Sequence, residues 1–302
     1  MGKVILVNIE KTVDLSEFTS LKIGGIAKNF YRPQTLEELK DLTKKIDYYY
    51  ILGAGSNLLI DDESEFEHVI YTGDYEKKML TMNEEGVIKA SSSVKVQDLL
   101  TFANRHGYGG AEYLYSLPAM MGGIVAMNAG RGKSYNKCIS DYIIFVEIVE
   151  DGILKCLSKE ECGFEYRASS ILNRNAIIHC VYLKFDKIQI EEGRKRLRER
   201  MEFSKSNQSL NYPSAGSVFK NCNVRVMKLV SLLPKNKKGL YYSEKTLNWI
   251  SNGGKGTYKE AIKLINQVKF LHRVLGKEAE LEWRIWSDTC KFSQKKNLKK
   301  YK

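Results

Sequence analysis

Helical periodicity is clear in three parts of the chain. Apolar residues recur every three or four positions, which places them on one face of an α-helix, over residues 35–46, 96–106 and 258–275. Thr35 opens the first of these with Glu38 three residues later, the pattern of a capping box. Gly107 and Gly276 follow the other two, at positions where glycine commonly ends a helix. The pattern therefore predicts three amphipathic helices with defined ends.

Strand patterns lie between these helices. Short runs rich in apolar and β-branched residues occupy residues 67–71, 86–90, 142–150, 153–157 and 177–185. The closing stretch 278–286 alternates apolar and polar residues, which predicts a continuous strand with Glu282 on its polar face. Residues 187–205 are charged and lack a strand pattern, so they form a candidate boundary between domains.

The stretch 51–60 contains two apolar runs separated by Gly-Ala-Gly-Ser-Asn. It predicts a short strand, a turn and a second strand, within a β-α-β unit. Because Gly53 and Gly55 lack Cβ atoms, backbone N–H groups in this turn can approach a phosphate closely. The Rossmann fingerprint does not fit, since its third glycine would fall at Leu58. A tight structural hairpin explains this stretch alone about as well.

A second run of small residues, 117–130, strengthens the phosphate-binding interpretation. Ser56 and Asn57 add side-chain donors to the first loop. Two such loops in one chain can hold the pyrophosphate of a large dinucleotide from both sides.

Length and composition are those of a soluble globular protein with two or three domains: 302 residues, 43% hydrophobic and 28% charged. The apolar runs are shorter than the roughly 18 residues of a membrane span, and we recognise no signal peptide. The net charge is +12, and half of it comes from six lysines in residues 291–302, which contain no acidic residue. The remaining positive charge suits anionic small substrates, and basic residues are not interleaved with aromatic ones as nucleic-acid binding would require. We therefore expect no nucleic-acid partner and no membrane partner.

The cysteines lack the spacing of a metal site. Six are scattered along the chain without a C-x-x-C pair, and the four histidines are isolated. Reduced, mostly buried thiols in a cytoplasmic protein are expected, and no metal ion.

Six segments, in this order along residues 19–286, resemble the UDP-N-acetylenolpyruvoylglucosamine reductase family. They are residues 19–25, 53–58, 117–130, 166–169, 214–219 and 282–285. Each is weak alone, but six in the right order are specific. The length resembles that of the family's shorter variant, which lacks an extra tyrosine loop.

The resemblance implies an α+β fold with a two-lobed FAD-binding domain of the vanillyl-alcohol-oxidase/PCMH type and a C-terminal α/β substrate domain. The implied bounds are 1–190 for the FAD-binding domain (lobes about 1–72 and 73–190), 205–290 for the substrate-binding domain and 291–302 for a basic tail.

The implied activity is reduction of the enolpyruvyl group of UDP-N-acetylglucosamine enolpyruvate to UDP-N-acetylmuramate, a cytoplasmic step of peptidoglycan synthesis. FAD would be the cofactor, NADPH the hydride donor, and the protein a monomer. Neither glycine loop contains His or Cys, so we expect FAD to be bound non-covalently.

The resemblance also assigns roles to residues. Arg167 would stabilise the enolate-like charge of the reaction, Ser217 would protonate the α-carbon, and Glu282 would support the same intermediate. It assigns contacts with FAD to Gly53, Ala54, Gly55, Ser56, Asn57, Leu58, Pro118, Gly122, Gly123, Asn128 and Gly130. Substrate contacts fall to Tyr166, Lys220 and Asn221. The structural alternatives are a surface salt bridge for Arg167, a turn for Ser217 and the solvent side of an edge strand for Glu282.

The chain departs from the family pattern at several places. The flavin half differs at Ala119, at residues 90–94 and at residues 131–133. The substrate half differs more, because residues 232–245 are shortened and Thr246 replaces a histidine. Two alternatives follow: a flavin enzyme of the same fold acting on another nucleotide-linked or enol-ether substrate, and a non-catalytic nucleotide-sugar sensor.

Overall fold

The computed structural model describes residues 7–76, 79–130 and 137–287. The predicted basic tail, the departure at residues 131–133 and Cys290 lie outside these residues. The helices are α1 (Leu36–Lys45), α2 (Val96–Arg105), α3 (Met121–Ala126), α4 (Ile190–Asn207), α5 (Val224–Ser231) and α6 (Tyr258–Val274). Short 3-10 helices span Leu15–Phe18, Glu112–Leu114, Ile139–Asp141 and Ser170–Asn173.

Most of the strands occur in runs between these helices. They are β1 (Asn8–Asp14), β2 (Ile26–Arg32), β3 (Tyr50–Leu52), β4 (Leu58–Ile60), β5 (Glu65–Tyr71), β6 (Leu80–Met82), β7 (Ile88–Ser91), β8 (Tyr108–Gly109), β9 (Ile143–Glu150), β10 (Ile153–Ser158), β11 (Ala176–Leu183), β12 (Asp186–Lys187), β13 (Phe219–Asn221), β14 (Leu240–Tyr242), β15 (Ile250–Asn252), β16 (Glu280–Leu281) and β17 (Arg284–Trp286).

Internal contacts divide the chain into two compact units, each made of separate stretches. The first contains Met1–Lys11, Asn29–Ala54 and Glu67–Glu202, and the second contains Thr12–Lys28, Gly55–Phe66 and Phe203–Lys302. Helix α4 (Ile190–Asn207) occupies most of the charged stretch 187–205, and the two units divide between Glu202 and Phe203 within that stretch. The predicted domains are continuous ranges of the chain, unlike these two units, and the domain assignment stays a prediction.

The first unit contains an antiparallel five-stranded sheet of order β10-β9-β11-β7-β6. Helices α2 and α3 contribute apolar side chains to its buried cluster, and α3 contacts β7 and β11. Helix α1 contacts strand β9 and packs in a second cluster. Strand β3 pairs in parallel with β5, in a sheet of order β1-β2-β5-β3.

The three predicted helices are confirmed, and their ends are largely as expected. Thr35 Oγ1 accepts from Glu38 N at the start of α1, but the Glu38 carboxylate accepts from Gln34 N, so the predicted capping box is only half formed. Gly107 (φ +78°) follows α2 and Gly276 (φ +63°) follows α6 in the left-handed conformation that glycine adopts readily.

In the second unit, helices α5 and α6 contribute side chains to one buried apolar cluster. The unit also contains three short strand pairs. Strand β13 pairs with β16 and β14 with β15, both antiparallel, while β17 pairs with β4 in parallel. The pairing of β3 with β5 and of β4 with β17 rules out the hairpin interpretation of residues 51–60, because β3 and β4 belong to different sheets.

The predicted continuous strand over residues 278–286 is wrong. The structure has two strands, β16 and β17, and Glu282 and Trp283 interrupt them. Val218 O accepts from both Glu282 N (2.8 Å) and Trp283 N (3.4 Å). Two successive N–H groups directed at one carbonyl break the regular alternation of a strand.

The cysteines in the described residues carry free thiols, but most are not buried. Cys162 and Cys180 are buried, Cys138 and Cys222 are half-buried, and Cys156 is exposed. Among the described residues, no helix combines the length and apolar character that crossing a bilayer demands.

Candidate functional site

The first glycine loop, residues 53–58, needs its glycines for two different reasons. Gly55 has φ +58°, and a Cβ there would lie 2.1 Å from Phe18 O. Ser20 N donates to Gly55 O over 3.1 Å, which fixes this close approach. A Cβ at Gly53 would meet only Thr72 Oγ1, at 3.9 Å. Gly55 therefore serves the fold, while Gly53 borders open space that a ligand can use.

Asn57 holds the segment that carries Glu282. Its Nδ2 donates to Glu282 O (3.1 Å), and its main-chain carbonyl accepts from Arg284 N (3.0 Å). Leu58 starts β4 and is paired in register with Arg284. The predicted flavin-loop residues Asn57 and Leu58 therefore also position a predicted catalytic segment.

The second glycine loop, residues 117–130, borders space that suits a large polar ligand. A Cβ at Gly123 would have no atom within 4 Å, whereas one at Gly122 would lie 3.1 Å from Ser92 Cβ. The buried hydroxyls of Ser92 and Ser116 lack a hydrogen-bond partner among the described residues. Buried hydroxyls in native proteins are usually paired, so a ligand rich in hydrogen-bonding groups, such as a dinucleotide, fits here.

Three side-chain hydrogen bonds fasten the segment 165–169 to this second loop. Asn128 Nδ2 donates to Glu165 O (2.9 Å), Arg167 Nη2 to Gly130 O (2.8 Å) and Ser169 Oγ to Ala126 O (2.7 Å). Asn128 is buried and adopts φ +41°, and its Oδ1 also accepts from Ser140 N. The predicted arginine motif and the predicted second flavin loop therefore form one hydrogen-bonded structure.

Arg167 itself is held in an uncommon conformation. Its φ is +56°, in the left-handed region that costs a non-glycine residue energy, and its guanidinium lies 5.1 Å from the ring centroid of Tyr166. Cys138 pairs with Gly130 in an isolated bridge, and burial and then the Asp141 charge raise the pKa of its thiol against the opposing effect of Arg167. The guanidinium thus donates to a carbonyl and lies beside an aromatic ring.

Ser217 occupies a fixed turn in the second unit. It forms an isolated bridge with Trp249, and Gly216 before it has φ +73° with no atom within 4 Å of a Cβ. Val218 N donates to Asn248 O (2.8 Å), while Val218 O accepts from Glu282 N. Within this unit, a main-chain hydrogen bond therefore links Glu282 to Val218, the residue that follows Ser217.

Asn248 supports this turn and was missed from the sequence. Its Oδ1 accepts from Phe219 N (3.1 Å) and its Nδ2 donates to Phe219 O (2.8 Å). The amide side chain thus replaces a strand partner for the residue two positions after Ser217. No local sequence pattern distinguishes this asparagine from a surface one.

The predicted substrate contacts Lys220 and Asn221 both bond to Glu280 of β16. Lys220 Nζ lies 2.7 Å from Glu280 Oε1, and Asn221 Oδ1 accepts from Glu280 N (2.9 Å).

Of the predicted FAD contacts, Pro118 is exposed, while Ala54 and Ser56 are half-buried. Arg167 and Tyr166 belong to the first unit, and Ser217 and Glu282 belong to the second.

Comparison with known proteins identifies the family. A family model described as an FAD binding domain matches residues 27–154. The UDP-N-acetylenolpyruvoylglucosamine reductase of Moorella thermoacetica is 32% identical over 91% of this chain and 92% of its own length. The reductase of Thermotoga maritima is 31% identical over 90% of this chain and 96% of its own.

A solved structure agrees with these sequence relatives. The crystal structure of UDP-N-acetylenolpyruvylglucosamine reductase from Thermus caldophilus matches with a TM-score of 0.78 and 29% identity, covering 93% of this chain and all of that one. The predicted α+β fold with an FAD-binding domain of the vanillyl-alcohol-oxidase/PCMH type is confirmed. The chain therefore belongs to the UDP-N-acetylenolpyruvoylglucosamine reductase family and is an FAD-dependent oxidoreductase.

Proposed function

We propose that this protein uses NADPH to reduce the enolpyruvyl group of UDP-N-acetylglucosamine enolpyruvate, giving UDP-N-acetylmuramate for peptidoglycan synthesis in the cytoplasm. The curated relatives carry the name of this activity over about nine-tenths of the chain. The observation that supports the proposal most strongly is the bond from Arg167 to Gly130 O, because it joins the proposed catalytic cation to the glycine loop assigned to the flavin.

FAD would be held by the two glycine loops. Their proposed contacts are Gly53, Ala54, Gly55, Ser56, Asn57, Leu58, Pro118, Gly122, Gly123, Asn128 and Gly130. The open space beside Gly53 and Gly123 and the buried hydroxyls of Ser92 and Ser116 fit such a group. When bound, FAD supplies hydride transfer between NADPH and substrate. We assign residues 1–190 to its domain and residues 205–290 to substrate binding.

Arg167 is proposed to stabilise negative charge on the substrate. Hydride addition to the enolpyruvyl methylene carbon leaves negative charge on the carboxylate side of the double bond. A guanidinium stays protonated at all working pH values and offers two parallel N–H donors to a carboxylate. The contacts with Gly130 O and the Tyr166 ring restrict its motion, which suits a donor that has to be placed before the charge develops.

Ser217 is proposed to donate the proton that completes the reduction at the α-carbon. A hydroxyl is a weak acid, so this transfer needs the strongly basic enolate as its acceptor. Glu282 is proposed to support the same intermediate. The shared Val218 peptide, bonded to Glu282 N, keeps the two residues in a constant relation. Tyr166, Lys220 and Asn221 are proposed to bind substrate.

A turnover experiment tests the proposed function. Purified protein is given NADPH and the enolpyruvyl UDP-sugar without oxygen, and the product is measured by mass spectrometry. We expect a product two hydrogens heavier than the substrate, formed in proportion to NADPH consumed. NADPH oxidation that stops once the bound flavin is reduced, with no reduced sugar product, would overturn this substrate assignment and favour another nucleotide-linked or enol-ether substrate.

The flavin is proposed to be non-covalent and the protein to act as a monomer. Acid precipitation should release all the flavin into solution, because neither glycine loop offers a His or Cys for attachment. Yellow colour in the pellet would contradict this. Light scattering of the holoenzyme measures the monomer mass, for which the chain predicts 34.6 kDa.

A further inference from the structure

A β-bulge in strand β11 directs two neighbouring side chains at one partner. Ile178 pairs with Ile148 and Cys180 with Glu147, so His179 is an extra residue in the register. Consecutive side chains of a regular strand point to opposite faces, but two residues of a bulge share one partner. His179 and Cys180 therefore both lie against Glu147.

The ligand atoms of these three residues lie within 4.8 Å of one another. His179 Nε2 is 3.8 Å from Glu147 Oε2, close to the roughly 3.4 Å that separates two nitrogen or oxygen ligands about 2.0–2.1 Å from a tetrahedral zinc ion. Cys180 is fully buried, His179 is 5% exposed, and the Glu147 side chain is 19% exposed. Water therefore competes little for these ligand atoms.

Tyr75 supports His179 from the other side of the ring. Its hydroxyl is 2.5 Å from His179 Nδ1, so Nε2 is the ring nitrogen that faces Glu147. A histidine that binds a metal is almost always held through its second ring nitrogen in this way.

Lys89 supplies the positive charge that now faces Glu147. Its Nζ lies 3.5 Å from Glu147 Oε2, and Tyr182 OH donates to the same oxygen over 3.2 Å. The Lys89 side chain is 29% exposed, and a long flexible stem can move its charge into solvent. A bound dication would therefore have to displace this ammonium group.

We propose that Glu147, His179 and Cys180 bind one divalent ion of the zinc type. An imidazole, a carboxylate and a thiolate are ligands that Zn²⁺ accepts in tetrahedral sites, with a fourth position for water. Two ligand charges of −1 balance the ion, and binding releases the thiol proton of Cys180. This site could not be predicted from the sequence. Its ligands are two adjacent residues, His179 and Cys180, and Glu147, which lies 32 positions before His179, and this spacing matches no known zinc-binding motif.

Zinc binding to the full-length holoenzyme tests the proposal without any measurement of turnover. Zn²⁺ is titrated in competition with a coloured chelator, and X-ray absorption is recorded on the zinc-loaded protein. We expect one tightly bound equivalent, with one sulfur at about 2.3 Å and nitrogen or oxygen at about 2.0–2.1 Å. The proposal would be overturned if the unsubstituted protein bound no tight equivalent of zinc, or if the X-ray absorption spectrum of the zinc-loaded protein showed no sulfur ligand.

Matched substitutions identify the ligands. Cys180→Ser, His179→Gln and Glu147→Gln should each abolish the tight equivalent, while circular dichroism and flavin content show whether the variants fold. Cys156→Ser is the control, because Cys156 is exposed and pairs with Glu147 from the opposite strand, β10. Loss of binding in Cys156→Ser, with binding kept in Cys180→Ser, would overturn the assignment.

Two further variants give opposite effects that a chance surface site would not show. Tyr75→Phe should weaken zinc binding by about tenfold to a hundredfold, as loss of an outer-shell partner does. Lys89→Met should tighten binding, because no ammonium group then competes for Glu147. Weaker binding in Lys89→Met would show that Lys89 does not compete with the ion and would count against the site.

Discussion

Asn57 and Glu282 lie 225 positions apart, and a hydrogen bond of 3.1 Å joins Asn57 Nδ2 to the main-chain oxygen of Glu282. The return bond from Arg284 N to Asn57 O fixes the same segment two residues later. Residues 53–58, predicted as a flavin loop, thus also hold the strand ends around Glu282. One sequence motif therefore serves two proposed roles, flavin binding and placement of Glu282.

Asn57→Ala should lower turnover more than it lowers flavin content. The substitution removes the bond to Glu282 O, which is worth about 1 kcal/mol, and keeps the glycines of the loop. We expect a reduced kcat in steady-state assays and a small loss of stability in urea denaturation. Asn173→Ala is the control, since Asn173 is exposed on a short 3-10 helix. The placement role would be contradicted if Asn57→Ala were purified without flavin but reached the kcat of the parent protein once FAD was added back.

Gly123→Ala should weaken FAD binding without destabilising the apoprotein. A methyl group at Gly123 meets no atom within 4 Å, so it would occupy only the space that we assign to the flavin. Gly55→Ala is the contrasting variant, because its methyl group would lie 2.1 Å from Phe18 O at φ +58°. We expect a loss of about 3 kcal/mol of stability for Gly55→Ala.

Fluorescence titration with FAD and urea denaturation separate the two glycine effects. An unchanged FAD dissociation constant in Gly123→Ala would show that the second loop does not approach the flavin there. Normal stability in Gly55→Ala would show that the loop can move away from Phe18.

The helices could be predicted from the sequence, because a buried helical face repeats every three or four residues and its ends carry their own signals. Thr35 and Gly107 lie at helix ends as expected. The strand pairings could not be predicted in the same way. An alternating pattern such as 278–286 shows which side chains share a face, but the break at Glu282 depends on Val218 O, which lies 64 positions earlier.

The candidate site was predictable only where it resembles a family motif. Arg167, Ser217 and Glu282 were named from such motifs, whereas Asn248 acts through its amide on the main chain of Phe219. The bulge at His179 also left no mark in the sequence, since an extra residue in a ladder is defined by its partner strand. Long-range hydrogen bonds of this kind require the fold.

Arg167→Lys should slow the step that consumes substrate by about a hundredfold, the effect of losing one well-placed donor to a developing negative charge. Lysine keeps the charge but loses the planar fork that donates to Gly130 O. Stopped-flow absorbance separates flavin reduction by NADPH from flavin reoxidation by substrate. Arg174→Lys is the control, because Arg174 lies 3.6 Å from Glu150 in an ordinary ion pair. Equal reoxidation rates in Arg167→Lys and the parent protein would refute the role of the guanidinium.

Ser217→Ala should separate hydride delivery from proton delivery. The substitution removes the proposed acid but leaves the turn intact, because Val218 N and Val218 O keep their bonds to Asn248 and Glu282. NADPH should therefore bleach the flavin at a near-normal rate, while turnover falls by about a hundred- to ten-thousand-fold, the usual cost of a lost general acid. Ser231→Ala, at the end of α5, is the control for serine replacement.

Ser217→Cys completes this test, because a thiol can also donate a proton and is close to a hydroxyl in size. It should recover part of the turnover lost in Ser217→Ala, and turnover in deuterium oxide should slow more in these variants than flavin reduction does. A purely structural serine would give neither the recovery nor the unequal solvent effect. If Ser217→Ala reoxidised its flavin with substrate as fast as the parent protein, Ser217 would not be the proton donor. The Gly216–Val218 turn would then serve only to join Asn248 to Glu282.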